Sequence, residues 1–385
     1  MKRHELISEH IKRIKGRYFD ADKQAKGVIL DEFCHTWGVD RKYAIRRLSG
    51  KQEPSGKRAG RPTRYDGRLV QHLTVLWVSM ERICPKRMKA AIPLWLPFYK
   101  DPQCDGGLRA QLLRISASQI GRYINRGCKT LRGLSATRKS KFFQYKIPLH
   151  VFNEKVINAG HMAADTVAHC GDSLEGVFAN TLTVTDRLTT WTENRALLSK
   201  READMRKALW SIESALPFKM LSLQSDCGTE FLNYAMMRYL QNRPSPVTMT
   251  RSRPYHKNDN AHVEQKNNTH VRAVFGYDRI ANPELIGLMN EIYRDYWNPL
   301  HNYFLPSMKL REKERNGARI TKRYDVPATP YQRLMRAPNV SEERKQEVEE
   351  RFKSMNPFEL KAGLEQKLSL FFQLLRKGTL EKKAA

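Results

Sequence analysis

Residues 161–170 read HMAADTVAHC, and a second strand-like stretch, GVFANTLTVTDRLTTW, follows at residues 176–191. Valine, threonine and aromatic side chains favour strands because they pack well on a pleated surface. Further along the chain, helical patterns alternate with two more strand-like stretches: helices at about 200–215, 229–242 and 258–275, and strands at 219–226 (KMLSLQSD) and 247–254 (VTMTRSRP). Strands followed by alternating helices and strands indicate an α/β domain.

Three carboxylates stand at notable places in this pattern. Asp165 lies inside the first strand, Asp226 ends the apolar strand, and Glu264 lies early in a helix. A charge inside a strand is costly to bury unless it meets a metal or a basic partner. Phosphoryl transfer commonly uses two divalent cations held by carboxylates, and Mg²⁺ prefers oxygen ligands. We therefore predict that Asp165, Asp226 and Glu264 are catalytic and bind metal.

The residues around these carboxylates resemble a known family. The matching stretches are Asp165-Thr166-Val167, Ser225-Asp226-Cys227-Gly228-Thr229-Glu230-Phe231 and Asn258-Asp259-Asn260-Ala261-His262-Val263-Glu264-Gln265-Lys266-Asn267. In this order they resemble the catalytic core of DDE-type bacterial insertion-sequence transposases, which are related to retroviral integrases. The resemblance extends over roughly residues 145–335.

The resemblance implies a multidomain protein with a ribonuclease H-like α/β core, a mixed five-stranded sheet flanked by helices, at residues 146–305. It implies a polynucleotidyl transferase that cleaves element ends and joins them to target DNA, using two Mg²⁺ ions for which Mn²⁺ can substitute. Asp165 would bridge both ions, while Asp226 and Glu264 would each hold one. The implied partners are terminal-repeat DNA, target DNA and further copies of the chain. Two alternatives remain open: a nuclease that cuts without joining, and a DNA-binding repressor with a degenerate core.

The chain departs from the family pattern in three ways. The 37 residues between Asp226 and Glu264 slightly exceed the usual interval, which a longer loop would absorb. Position 227 is Cys where the family commonly has Asn, so a polar side chain beside the second Asp is missing. The zinc-binding His/Cys pattern of retroviral integrase N-termini is absent.

The N-terminal residues 1–50 are predicted to hold a helix-turn-helix unit. KQAKGVILDEFCHTWGVDRKYAIRRL (23–48) has apolar residues at helical spacing, Gly38 suits a left-handed turn, and Asp40 is a candidate N-cap. A recognition helix in a major groove would present four basic residues: Arg41, Lys42, Arg46 and Arg47. The alternative is an ordinary helical hairpin with a solvated basic face.

Residues 51–64 are predicted to be a basic linker, rich in Gly and Pro. Within it, Arg58 and Arg61 resemble arms that lie in A·T-rich minor grooves. A second helical unit is predicted at residues 65–145, where SASQIGRYINRG begins at a serine N-cap and Arg122 and Arg126 could face DNA. This unit could instead be purely structural. Residues 306–385 form a small basic C-terminal region that ends in a helical pattern.

Charge and composition point to a nucleic acid partner. The formal net charge is +29, and residues 1–150 hold 33 Lys+Arg against 12 Asp+Glu. A basic excess of this kind favours a polyanion, because neutralised phosphates release counterions. No apolar run of about 18 residues and no signal-peptide pattern is present, so we expect no membrane partner and a cytoplasmic, nucleoid-associated bacterial protein. The six cysteines lie far apart, which favours neither a disulfide framework nor a structural zinc.

Further residues near the acidic positions have competing interpretations. Basic residues surround Glu264 and could contact phosphates or form a solvated rim: Arg251, Arg253, Lys257 and Lys266. Asp186 is a rival metal ligand that we interpret as a turn or structural residue, and Asp172 and Glu175 as turn residues. His169, His256 and His262 are interpreted as packing or DNA-contact residues. Cys170 and Cys227 are interpreted as small core residues, since no paired base is evident.

Overall fold

The computed structural model describes residues 3–50, 65, 67–127, 156–225, 234–251, 266–317 and 319–384. The chain divides into two compact units, residues 1–65 and residues 66–385.

Within residues 3–50 the first unit forms three mutually packed helices, α1 (Arg3–Asp20), α2 (Lys23–Trp37) and α3 (Arg41–Leu48). The Asp22 carboxylate caps α2 by accepting a hydrogen bond from the Ala25 amide at 2.7 Å. Gly38 ends α2 in the left-handed region (φ 58°), where glycine has no Cβ penalty. Two helices joined by a turn thus lie where the pattern placed them, and their DNA-binding role stays a prediction.

The core of this unit comes from apolar residues at helical spacing: Ile7, Ile11, Tyr18, Ile29, Leu30, Phe33, Ala44 and Leu48. Val28 and Ile45 share that spacing but are exposed. Asp40 takes the predicted N-cap position of α3 with an extended backbone, although its carboxylate makes no capping hydrogen bond. The start of α3 therefore depends on packing more than on a side-chain cap.

The second unit begins with a helical layer in the described residues 67–127: α4 (Gly67–Ser79), α5 (Pro85–Trp95), α6 (Gly106–Arg114) and α7 (Ala117–Gly127). Pro85 starts α5, where its missing N–H is not needed. The Ser116 hydroxyl accepts a hydrogen bond from the Gln119 amide at 3.2 Å, so α7 has the predicted serine cap. The Trp95 indole N–H donates to the Phe304 carbonyl at 3.0 Å, which ties this layer to the C-terminal half of the unit.

A mixed five-stranded sheet follows, with strands β1 (His161–Ala168), β2 (Asn180–Asp186), β3 (Thr192–Leu197), β4 (Ser222–Ser225) and β5 (Thr248–Arg251). The spatial order is β3-β2-β1-β4-β5. β1 pairs antiparallel with β2 and parallel with β4, while β2–β3 is antiparallel and β4–β5 parallel. The predicted mixed five-stranded sheet is confirmed.

Helices flank this sheet. α8 (Glu202–Ala215) packs against β2 and β3, and α9 (Tyr234–Gln241) packs against β5. A π-helical segment, Asn267–Arg272, contacts β1 and continues into the short α10 (Ala273–Phe275). Next come α11 (Glu284–Glu291) and two further π-helical segments, Ile292–Trp297 and Leu300–Phe304. The predicted α/β order is therefore present.

The outer edge of β3 is covered by two asparagine side chains. Asn302 accepts from the Thr192 amide and donates to the Thr192 carbonyl, both at 2.9 Å. Asn290 pairs in the same way with the backbone of Ala196, at 2.8 and 2.9 Å. An unpaired strand edge would otherwise offer its N–H and C=O groups to another chain. In the part of the chain that the structure describes, these amides take the place of a sixth strand at this edge.

The C-terminal residues form a hairpin and three helices: β6 (Leu310–Asn316), β7 (Arg319–Tyr324), α12 (Pro330–Leu334), α13 (Glu342–Ser354) and α14 (Pro357–Ala384). The helix predicted from NPFELKAGLEQKLSLFFQLLRK lies in α14. Neither the hairpin nor β3 was predicted from the sequence. No helix in the described ranges is long and apolar enough to cross a membrane.

Gly160 fixes the start of the sheet. Its backbone has φ +110°, its amide donates to Asp186 Oδ1 at 2.8 Å, and its carbonyl accepts from the Leu221 amide at 2.8 Å. A Cβ at this position would overlap the Lys219 carbonyl oxygen. Glycine is therefore needed here for both conformation and space.

We predict that Gly160→Ala lowers the free energy of unfolding by about 2 kcal/mol or more, because alanine strains this backbone and separates β1 from β4. Urea unfolding measures the effect. The control is Gly287→Ala, at an exposed position inside α11 where a Cβ meets nothing within 4 Å. There alanine should stabilise by up to about 1 kcal/mol. Equal effects of the two changes would contradict the role given to Gly160.

Candidate active site

Asp165 lies in the middle of β1, opposite Thr183 of β2. On the other side of β1, Ala164 pairs with Ser225, the last residue of β4. Ser225 is followed in the sequence by Asp226, which lies outside the described residues. The strand register thus brings the residue before Asp165 beside the residue before Asp226.

Hydrogen bonds hold the Asp165 carboxylate in place. The Asn267 side-chain amide donates to Asp165 Oδ2 at 2.6 Å, and the Thr166 amide donates to Oδ1 at 2.8 Å. Asn267 begins the π-helical segment and lies three residues after Glu264 in the sequence. Its own Oδ1 is buried and accepts no hydrogen bond from the described residues. Single π-helical turns are frequent at functional sites, and this one places an amide against the predicted catalytic carboxylate.

Lys266, the residue before Asn267, belongs to a cluster of basic side chains. The Lys266 ammonium lies 3.3 Å from His270 Nε2, and the His270 and His301 rings are 4.1 Å apart. Burial, together with the nearby Arg87 and Arg333 guanidinium groups, lowers the pKa of Lys266 to about 7. Lys266 is thus directed partly into the protein, and its predicted role as a DNA contact stays a prediction.

Both histidines of this cluster are held neutral. Burial comes first and the neighbouring basic groups second in lowering the pKa of His270 well below its ordinary value. The same causes lower the pKa of His301, with Lys266 and Arg87 as its charged neighbours. His270 Nδ1 and His301 Nε2 are buried without a hydrogen-bond partner among the described residues. An additional proton here would therefore be costly.

Several predicted site residues lie outside the described residues: Asp226, Glu264, Arg58, Arg61, Arg253 and Lys257. The backbones of Arg126 and Arg251 lie in α7 and β5, respectively. Among the described residues no group of three His, Cys, Asp or Glu side chains could hold a metal ion. The described residues include Asp165 but not the other two predicted ligands.

The predicted DNA-contact residues of the helical layers are mostly exposed. Arg41, Lys42 and Arg46 are exposed on α3, and Arg41 forms an ion pair with Asp31 of α2. Arg47 is partly buried, and its Nε has no described hydrogen-bond partner. Arg122 is exposed on α7. Exposure suits contact with phosphates, and DNA contact by these residues stays a prediction.

The rival residues have structural surroundings. The fully buried Asp186 carboxylate accepts hydrogen bonds from the Gly160 amide and from the amide and hydroxyl of Thr189, at 2.6 to 2.8 Å. These contacts fit the interpretation as a turn residue. Cys170 is a free thiol beside the Gly171 carbonyl. Asn267 is the site residue that we did not single out from the sequence, although it closes the third matching stretch.

The fold is that of an α/β protein with a mixed sheet preceded by helical layers. No protein-family model matches the chain. A curated relative, uncharacterized protein y4rM of Sinorhizobium fredii (strain NBRC 101917 / NGR234), is 34% identical over 336 residues, covering 85% of this chain and 94% of the relative. The chain belongs to the family of this protein.

Two solved structures are also similar to the chain. One is the catalytic core domain of BIV integrase, with 14% identity and a TM-score of 0.22, covering 28% of this chain and 64% of the viral chain. The other is the simian T-cell lymphotropic virus intasome in complex with PP2A regulatory subunit B56 gamma, with 13% identity and a TM-score of 0.28, covering 43% of this chain and 54% of that chain. Each match spans less than two thirds of the solved chain.

His169, just after β1, gives this region a pH dependence. It is fully buried, its Nε2 lies 2.9 Å from Thr181 Oγ1, and burial followed by the nearby Arg272 lowers its pKa to about 4. The unfolded chain takes up a proton at about pH 6.5, whereas the folded protein does so only near pH 4. The stability that neutral His169 contributes is therefore complete above pH 6.5 and is lost as the pH falls.

We predict that His169→Gln reduces the acid sensitivity of the fold, because glutamine does not titrate. Between pH 7 and pH 5 the parent should lose about 2 kcal/mol more unfolding free energy than the variant. Urea unfolding of both proteins across this range measures the difference. His270 and His301 act in the same direction in both proteins and cancel in the comparison. Parallel pH profiles would show that His169 is not buried as a neutral ring.

Proposed function

We propose that the chain is a DNA transposase or integrase, a divalent-metal-dependent polynucleotidyl transferase that cleaves the ends of a mobile element and joins them to target DNA. The observation that carries the proposal is the setting of Asp165. The residue before it pairs with the residue before Asp226, and its carboxylate accepts a hydrogen bond from Asn267, three residues after Glu264. Consecutive Cα atoms are about 3.8 Å apart. Asp226 directly follows Ser225 and Glu264 is three residues before Asn267, so only a short stretch of chain links each of these carboxylates to the contacts of Asp165.

The described donor atoms fit a hard divalent cation. Asp165 provides a partly exposed carboxylate, and the Asn267 side chain that donates to it has an amide oxygen that is buried and accepts no hydrogen bond from the described residues. Mg²⁺ takes oxygen ligands and keeps several waters, so a few carboxylates suffice. We propose that Asp165, Asp226 and Glu264 hold the metal. When bound, the ions supply neutralisation of the charge that develops on the phosphoryl oxygens.

Two neighbouring residues orient the Asp165 carboxylate. The Asn267 and Thr166 hydrogen bonds fix the rotation of the Asp165 carboxylate before substrate arrives, which avoids a reorganisation cost during the reaction. In the proposed reaction, water attacks a phosphodiester at the element end and leaves a 3′-hydroxyl. That hydroxyl then attacks a phosphodiester of the target, so one P–O bond forms as another breaks. No covalent enzyme intermediate is needed.

DNA is the proposed partner, bound as element ends and target by several copies of the chain. Exposed basic residues on α3 support this, as does the charge excess of residues 1–150. The test is to incubate the purified chain and Mg²⁺ with DNA from the regions flanking its own gene, and to sequence the products. Joined products support a transposase, cut but unjoined ends indicate a nuclease, and binding without cutting indicates a repressor.

We predict that Asp165→Asn, Asp226→Asn and Glu264→Gln each abolish cleavage and joining but leave DNA binding within a few fold of the parent. Each change removes a metal-binding charge, while the basic residues that attract DNA stay in place. Gel assays of cleavage and of binding measure the two effects separately. The control is Asp172→Asn, at an exposed carboxylate in the loop after β1. Activity in any of the three variants would remove that residue from the site.

We also predict that Mn²⁺ raises the melting temperature of the parent, since a ligand of the folded state stabilises it by about 2.7 kcal/mol at 100 times its dissociation constant. Asp226→Asn removes one of three repelling carboxylates, so with a chelator the variant should be at least as stable as the parent. It should also gain less from Mn²⁺. A variant that is strongly destabilised without metal, or is stabilised by metal as much as the parent, would make Asp226 a structural residue.

A further inference from the structure

Three cations of the β6–β7 hairpin lie on one face. Lys313 lies opposite Lys322, and Arg315 lies opposite Ile320 in the antiparallel register. Opposed residues share a face, and side chains alternate between faces along a strand. Lys313, Arg315 and Lys322 therefore form one cationic face, and Tyr324 extends it two residues beyond Lys322.

The acids of the hairpin lie on the other face. Glu312 and Glu314 are the only acidic residues between Leu310 and Tyr324, and both alternate with Lys313 along β6. Glu312 forms an ion pair at 3.2 Å with Arg323, the residue directly opposite. By register the acidic face holds Arg319 as well as Arg323, so its two acids balance its two arginines, whereas the cationic face contains no acid.

This arrangement is unfavourable for an isolated hairpin. Like charges directly opposite one another destabilise a strand pair. Partial desolvation, followed by the facing Lys322, lowers the pKa of Lys313 from its ordinary value. Exchanging one lysine for glutamate would remove the repulsion within the hairpin. A bound polyanion removes it as well, because each phosphate neutralises a cation and releases counterions.

The hairpin projects from a rigid base. Lys309 donates to the carbonyls of Arg187 and Leu188 at 2.9 and 3.0 Å, and its backbone amide donates to Asp325 Oδ1 at 2.6 Å. Arg333 binds Asp325 Oδ2 at 3.0 Å. Beyond this base, Ile320 and Tyr324 are about half exposed, and Lys322 is exposed. The core thus orients the cationic face, on which Arg315 and Lys322 are exposed and Lys313 is partly exposed.

We propose that the cationic face of the β6–β7 hairpin binds duplex DNA. A two-stranded ribbon fits the major groove, which is about 12 Å wide. The seven residues of β6 span about 20 Å, enough to pass across one groove between its phosphate strands. The proposal rests on DNA being the partner of the proposed function, and it adds a contact surface distinct from the α3 residues and the acidic site.

The test compares two full-length variants with equal loss of charge. One is K313Q/R315Q/K322Q on the cationic face, and the other is R344Q/K353Q/R376Q on exposed positions of α13 and α14. Affinity for a fluorescent 30-base-pair duplex is measured at several salt concentrations. We expect the hairpin variant to bind at least tenfold more weakly, with a salt slope smaller by about 2 to 3, since each lost phosphate contact removes about 0.9. The α13–α14 variant should stay close to the parent.

Two further variants separate binding from folding. E312Q/E314Q changes the acidic face and should bind DNA as well as the parent or better. K313R/K322R keeps both charges and should show the same DNA affinity and salt slope as the parent.

Equal affinity and slope for the hairpin and α13–α14 triple variants would overturn the proposal, and so would failure of K313R/K322R to bind. If the parent binds and joins DNA and the hairpin triple variant binds DNA as well as the parent, the hairpin inference is wrong and the proposed function stands. If the parent binds no duplex DNA, both are wrong.

Discussion

The parallel pairing of β1 with β4 is the constraint on which the rest of the second unit depends. It joins the antiparallel strands β1 to β3 to the parallel strands β4 and β5. A parallel pair cannot be closed by a tight turn and needs a crossover, which here contains α8. Gly160 begins the pairing because its carbonyl accepts the Leu221 amide where no side chain would fit. The end of β4 consequently lies beside the middle of β1, next to Asp165.

Buried polar side chains of β3 are held by specific partners from other parts of the chain. Glu193 and Arg195 are both buried in β3, and their ion pair at 3.2 Å is completed by Asn298, which donates to Glu193 at 2.9 Å. Asn302 then closes the edge of the same strand. Burying this pair is tolerable because its hydrogen-bonding groups find partners, whereas removing one member would leave a buried charge. The helical segments after α11 therefore position the sheet through specific polar contacts as well as apolar packing.

The sequence predicted those parts of the fold that follow a local rule. β1, β2 and α8 have recognisable composition or period, and α2, Gly38 and α3 have a pattern with its turn residue. β3 reads TENRAL and was missed, because the partners that make its buried polar residues stable lie about 100 residues further along the chain. The hairpin was missed because neither of its faces packs on a core, so its strands show no apolar alternation. Asp165 could be selected from the cost of a charge in a strand, but its contact with Asn267 depends on how a distant helix docks.

Exposure, and not the formal charge alone, decides which cations are available to a polyanion. Arg279 donates to the carbonyls of Cys170 and Ser173, so it organises the loop after β1. Lys309 and Arg333 hold the base of the hairpin in the same way, and burial lowers the pKa of Lys266 to about 7. These residues count toward +29 but are committed to the fold. A cation that serves the fold gains carbonyl or carboxylate partners, whereas one that faces a like charge in solvent gains nothing from folding. Lys313 and Lys322, which face each other across the hairpin, are of the second kind, whereas Arg315 donates to the Gly317 carbonyl and Arg323 pairs with Glu312. Folding alone gives no reason for the lysine pair, and the proposed DNA contact would supply one.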